Sequence, residues 1–148
     1  SYRIYCKKNI KKSIKFKEDT GYNEIIRFIK RVRKNKEVTV KFIKKNIKQG
    51  KKIFLYGAST KGNTLLQYYG LTNKEIPFAA ERSKVKWGKY TIGSGVKIIS
   101  EDNARKLNPD YFFVMPYGFI SEFLTREKNW LHKGGKFLLP YPKLKVVK

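Results

Sequence analysis

The segment best equipped to hold an anion is Tyr56-Gly57-Ala58-Ser59-Thr60-Lys61-Gly62-Asn63-Thr64, set between an apolar run and an amphipathic stretch. Gly57 permits a tight turn and close backbone approach, while the small Ala58 and Ser59 leave space above it. Where a helix begins, its first N–H groups lack internal acceptors and its dipole favours negative charge. Ser59 and Thr60 add hydroxyl donors, and Lys61 adds a point charge. Gly57 and Gly62 are spaced G-x-x-x-x-G, but Asn63-Thr64 follow where a Walker A loop carries Lys-Ser/Thr. The dinucleotide pattern G-x-G-x-x-G is absent too. Two readings stand: a phosphate cradle, or a glycine-rich turn that only joins strand to helix.

Glu81 lies 24 residues after Gly57, at the end of the next expected strand. Dinucleotide folds place there the acid that accepts ribose hydroxyls. A pairing with Arg82 or a nearby lysine explains the same residue without a ligand. In such folds ligands lie beyond the carboxyl ends of the strands, an edge that gathers Ser59, Lys61, Glu81, Arg82 and the Pro116-Tyr117-Gly118 turn. Glu122, one turn into the following helix, either reaches that crevice or faces solvent. Other chemistry is poorly supplied. His132 suits the end of a helix, and Cys6 suits a small buried hydrophobe; together they make no zinc site. No base stands beside a ready nucleophile, so the chain reads as a binding domain.

The elements that must position these residues follow from periodicity. Arg3 to Cys6 alternates like a strand, and Lys7 to Lys17 is a basic connector. From Thr20 a helical period begins, with Tyr22, Ile25, Ile26, Ile29 and Val32 expected inward. A second helix is expected from about Glu37, with Val40, Ile43 and Ile47 inward, lysines outward and Gly50 as its stop. The domain division is therefore 1–19 for the terminal strand and connector, and 20–148 for the main domain with helices at 20–50. Further strands are expected at Ile53 to Tyr56, Ile76 to Ala80, Val96 to Ile99, Tyr111 to Met115 and Lys136 to Leu139. Helices fall at Lys61 to Tyr69, from Ser100, and at Phe119 to Leu131, with a loop from Arg82 to Gly95. Strands alternating with helices predict a Rossmann-like α/β fold: a mostly parallel sheet sandwiched by helices, preceded by a basic helical segment.

Composition sets the outer limits. At 148 residues, 41% hydrophobic and 15% aromatic, the chain can build a core. No apolar run approaches the ~18 residues of a membrane span, and no signal-peptide pattern opens the chain. One cysteine excludes an internal disulfide framework, and a cytoplasmic setting is expected. Lys and Arg total 35 against 11 acids, a net charge of +24 that attracts polyanions at low salt. Both halves are basic: residues 1–52 hold 19 cations and 4 acids, the remainder 16 and 7. Nucleic acid therefore stands as an alternative partner.

Several strings carry a resemblance when taken in order. They are Tyr56-Gly57-Ala58-x-x-Lys61-Gly62-Asn63-Thr64-Leu65-Leu66, Glu81-Arg82-Ser83, Lys86-x-Gly88-x-Tyr90-x-x-Gly93, Pro109-Asp110-Tyr111, Glu122, and Gly134-Gly135-Lys136-Phe137. Over roughly residues 20 to 142 the chain resembles the C-terminal domain of the sugar C-methyltransferases. Ser1 to Tyr5 resembles the closing strand of that family's preceding domain. The resemblance implies an enzyme using S-adenosylmethionine on a nucleotide-linked deoxysugar, with a zinc-binding module and a methyl-donor domain upstream of this one. It implies that this chain alone binds neither zinc nor S-adenosylmethionine and is inactive. It also implies a nucleotide-sugar site drawn from Gly57 to Asn63, Glu81, Arg82, Tyr117 and Glu122. The family usually carries Asp at Glu81, Pro at Ile92 and Trp-Asn at Tyr117-Gly118. A module binding NAD or another nucleotide is the alternative within the same fold.

Overall fold

The computed structural model describes residues 21–148, so the strand and connector expected before residue 20 lie outside the described residues. A six-stranded sheet runs β3-β2-β1-β4-β5-β6, from β1 (Ile53–Tyr56), β2 (Phe78–Glu81), β3 (Lys97–Ser100), β4 (Tyr111–Val114), β5 (Lys136–Leu139) and β6 (Lys145–Val147). The first five are parallel, and β6 pairs antiparallel with β5, Phe137 opposite Val147. The Rossmann-like α/β architecture is as the alternation of elements predicts. The short β6 is additional; three residues beginning with a lysine carry too little pattern to announce a strand.

Side-chain alternation divides the interior between the two faces of the sheet. Ile53, Leu55, Ala79, Tyr111, Phe113 and Leu138 enter one core, beneath α1 (Tyr22–Lys48) and α2 (Thr60–Tyr69). Phe54, Tyr56, Ala80, Phe112, Val114 and Phe137 enter the other, beneath α3 (Glu101–Lys106), α4 (Ile120–Arg126) and α5 (Lys128–His132). Burial of the central strands on both faces explains why they read as unbroken apolar runs.

Two expectations about helices need correction. The pair expected at 20–50 is one continuous helix of 27 residues. The polar run Arg33-Lys34-Asn35-Lys36 interrupts the apolar stripe, but it contains neither Gly nor Pro and leaves the backbone ladder intact. Asn35 even anchors the midpoint: it donates to the Tyr69 hydroxyl at 3.2 Å and accepts from the Leu144 N–H at 3.0 Å. The expected inward stripe of the first half is not covered: Tyr22 and Ile25 are exposed, and Ile26, Ile29 and Val32 are half-buried. The fully buried positions, Thr39, Ile43 and Asn46, begin only in the second half. The single helix expected at Phe119 to Leu131 is instead a 3-10 turn (Tyr117–Phe119) followed by α4 and α5. They meet at Glu127, whose backbone leaves helical values while its carboxylate turns into the protein.

Candidate functional site

Strand order reverses between β1 and β4, and a cleft of about 140 Å³ opens beyond their carboxyl ends. Its walls include Gly57, Ser59, Glu81 and Arg82, all expected from sequence, joined by Lys86, Glu101 and Arg126. A concavity of about 1180 Å³ lies elsewhere, between α1 and the chain after β5. It is larger and mostly apolar; the smaller cleft is the one where backbone donors and charged side chains converge.

The loop after β1 owes its glycines to close packing. Gly57 has φ +84°, and a Cβ there would stand 2.8 Å from Pro116 Cδ. A Cβ on Gly62 would fall 2.5 Å from that of Met115. Both glycines thus let α2 and its leading turn press against the end of β4. Ser59 caps α2, its Oγ accepting from the Gly62 N–H at 3.1 Å. The Asn63 N–H bonds the Ser59 carbonyl, leaving the N–H groups of Thr60 and Lys61 without an acceptor among the described residues. Thr60 and Lys61 are exposed, and Lys61 forms no ion pair among the described residues. Asn63 is not part of the cleft lining and accepts from Ser94 Oγ at 3.4 Å.

Glu81 is bound on every side. Its Oε2 accepts from the Ala58 N–H at 2.9 Å and its Oε1 from the Ser83 N–H at 3.0 Å. Lys86 Nζ stands 3.5 Å from Oε2 and donates to the Ala58 carbonyl at 3.0 Å. Trp87 Nε1 donates to the Glu81 carbonyl at 2.7 Å, folding the next loop back over the strand end. Burial works against ionisation here, but the Ser83 and Ala58 N–H groups and the Lys86 charge outweigh it, holding the carboxyl below its ordinary range. Oε2 is engaged twice, by the Ala58 N–H and Lys86, whereas Oε1 accepts only from Ser83 among the described residues and keeps a second lone pair. Of the two readings of Glu81, the pairing with a lysine is present, with Lys86 rather than Arg82.

Across the cleft the wall is built from long side chains. Arg126 donates through Nε and Nη2 to the Tyr56 hydroxyl at 3.2 and 3.0 Å, through Nη2 to Glu101 at 2.8 Å, and through Nη1 to Glu122 at 2.6 Å. The Tyr56 hydroxyl donates to Glu127 Oε1 at 2.7 Å, which also accepts from Arg105 at 2.6 Å. Burial, then the hydrogen bond to Glu127, pushes the Tyr56 phenol far up, so it stays a neutral donor. Glu122 is exposed and bridges Arg126 to Arg82. Tyr117 is also exposed, its ring tilted against that of Tyr141 at 5.2 Å between centroids rather than lining the cleft. Arg126 escaped the sequence reading, although Glu122 and Arg126 carry the four-residue spacing of a helical ion pair.

Residues 6–142 match the family described as the C-methyltransferase C-terminal domain. The chain belongs to that family. It is 33% identical over 126 residues to the C-methyltransferase NovU of Streptomyces niveus, covering 85% of this chain and 29% of the relative's length. The match covers the string Tyr56 to Leu66, and the geometry shows what that string builds. It makes a capped helix start against β4 with two open N–H groups. Among the described residues no three of His, Cys, Asp or Glu gather to hold a metal ion. No described helix is long and apolar enough to cross a membrane.

Proposed function

We propose that this domain binds the nucleotide-linked sugar of an S-adenosylmethionine-dependent sugar C-methyltransferase acting in the cytoplasm. The zinc belongs to an upstream zinc-binding module and the methyl donor to an upstream methyl-donor domain of the longer enzyme. The catalytic groups also lie upstream, and this chain alone transfers no methyl group. The observation that carries the reading is the start of α2, where strand order reverses. Ser59 lines the cleft, and the next two residues, Thr60 and exposed Lys61, outside its lining, carry N–H groups without an acceptor among the described residues. A diphosphate suits that end of a helix, and the spare lone pair of Glu81 Oε1 suits a sugar hydroxyl.

Calorimetry with nucleoside-diphosphate sugars tests the proposal. Lys61→Ala should weaken binding by about 1–3 kcal/mol, the range for a charge-assisted contact. Equal affinity of both proteins would overturn it. A short DNA duplex titrated at two salt concentrations serves as the control, because non-specific polyanion binding driven by a charge of +24 falls steeply with salt.

A further inference from the structure

Three cations border the cleft, and they differ in how far their hydrogen bonds are committed. Arg126 is spent on Tyr56, Glu101 and Glu122, and its side chain is 24% exposed. Lys86 is held between the Ala58 carbonyl and Glu81. Among the described residues Arg82 has one side-chain partner, Glu122 Oε1 at 3.2 Å, and remains 68% exposed. That same oxygen takes the shorter 2.6 Å contact from Arg126. Glu122 would therefore keep a guanidinium partner if Arg82 left.

We propose that Glu122 is a latch on Arg82. With the cleft empty it parks the Arg82 guanidinium at the rim; when a phosphate-bearing ligand enters, Arg82 turns onto the phosphate and Glu122 stays with Arg126. The inference rests on the reading of the cleft as a diphosphate site and adds to it the residue that answers the ligand. An exposed ion pair is weak in water, whereas a guanidinium matches phosphate oxygens in paired hydrogen bonds, so the exchange runs toward the ligand. Glu122 thereby changes from an expected sugar contact to a competitor of the ligand. Its removal should strengthen binding.

The test is calorimetry on the 148-residue chain with pyrophosphate, thymidine diphosphate and uridine diphosphate at one fixed ionic strength. Arg82→Ala should weaken binding about tenfold. Glu122→Gln should tighten it about two- to fivefold, the equivalent of one exposed ion pair released. In the Arg82→Ala background the same Glu122→Gln change should bring no gain, because the latch then has nothing to hold. A gain that persists in that background shows simple removal of a negative charge and overturns the latch; so does weaker binding by Glu122→Gln. If wild type binds and Lys61→Ala weakens it while Glu122→Gln brings no gain, the latch alone fails. If wild type binds none of the three probes, the diphosphate reading fails and the latch with it.

Discussion

Glu81 and Glu122 stand on opposite sides of the cleft, and they are held by different means. On the β2 side Glu81 is fixed by the N–H groups of Ala58 and Ser83, so its position follows from the backbone of the strand ends themselves. On the α4 side Glu122 is reached, among the described residues, only by two arginine side chains and stands half in water. Backbone donors move little, whereas exposed ion pairs exchange readily. One bank is a fixed reference against which a ligand can be oriented, and the other is a wall that rearranges. Behind the second bank, the contact of Tyr56 with buried Glu127 supplies the rigidity that the exposed pairs lack.

Breaking that hidden support should have the largest effect. Glu127 is 1% exposed, and its Oε2 has no hydrogen-bond partner among the described residues. Arg105→Ala removes the guanidinium that neutralises it, leaving a buried charge held by the Tyr56 hydroxyl. Chemical denaturation should register a loss of about 3 kcal/mol, as for a buried pair deprived of one partner. Adding Glu127→Gln to that variant should recover part of the loss, because the uncompensated charge is then gone. A loss below about 1 kcal/mol would place this pair with ordinary surface ion pairs and remove the proposed stiffening of the second bank.

Glu81→Gln probes the first bank and should cost less, about 1–2 kcal/mol at neutral pH. A carboxamide offers one acceptor oxygen where Glu81 offers two, so its NH2 group must face either the Ala58 or the Ser83 N–H. Equal stability of the two proteins in a denaturant titration would mean that the loop and strand hold each other without the carboxylate.

The first bank was largely legible in the sequence and the second was not, for a physical reason. Gly57, Ser59, Gly62 and Glu81 act through local backbone geometry: a positive φ, a cap, a close approach and a strand end. Such requirements restrict residue type at fixed spacing and therefore leave a pattern. Arg126, Glu101 and Arg105 act through long side chains that meet across α3, α4 and the end of β1. Many arrangements of charge along the chain would serve, so spacing alone does not select them. The same distinction explains the fold. Runs such as Ile53 to Tyr56 and Tyr111 to Met115 announced central strands because both faces are buried. The continuity of α1 was hidden because the absence of a breaker is a weaker signal than a gap in the apolar stripe. Asn63 and Tyr117 illustrate the limit at the site: both sit beside the right turns, yet Asn63 faces Ser94 and Tyr117 faces Tyr141.

The smallest expected effect is one of pH, and it separates the cleft from the far end of the sheet. Two acids are held below their ordinary range against the opposing influence of burial. For Glu81 the counterweights are the Ser83 and Ala58 N–H groups and Lys86; for Asp110, before β4, they are Lys51 and the Lys52 N–H. A carboxyl whose folded pKa is depressed contributes stability that is complete above its unfolded value, about 4 for Asp and Glu, and that is lost as pH falls through the folded value. Wild type should therefore lose stability in acid from both groups. Glu81→Gln retains the Asp110 contribution and has already lost that of Glu81. The difference in Tm between the two proteins should be constant above about pH 5 and shrink below about pH 4, as protonated Glu81 comes to resemble the carboxamide. Because Asp110 titrates in both proteins, its contribution cancels from that difference. A gap that persists unchanged down to pH 2.5 would show that Glu81 is not held in its ionised form by the strand ends, and the fixed bank would lose its charge.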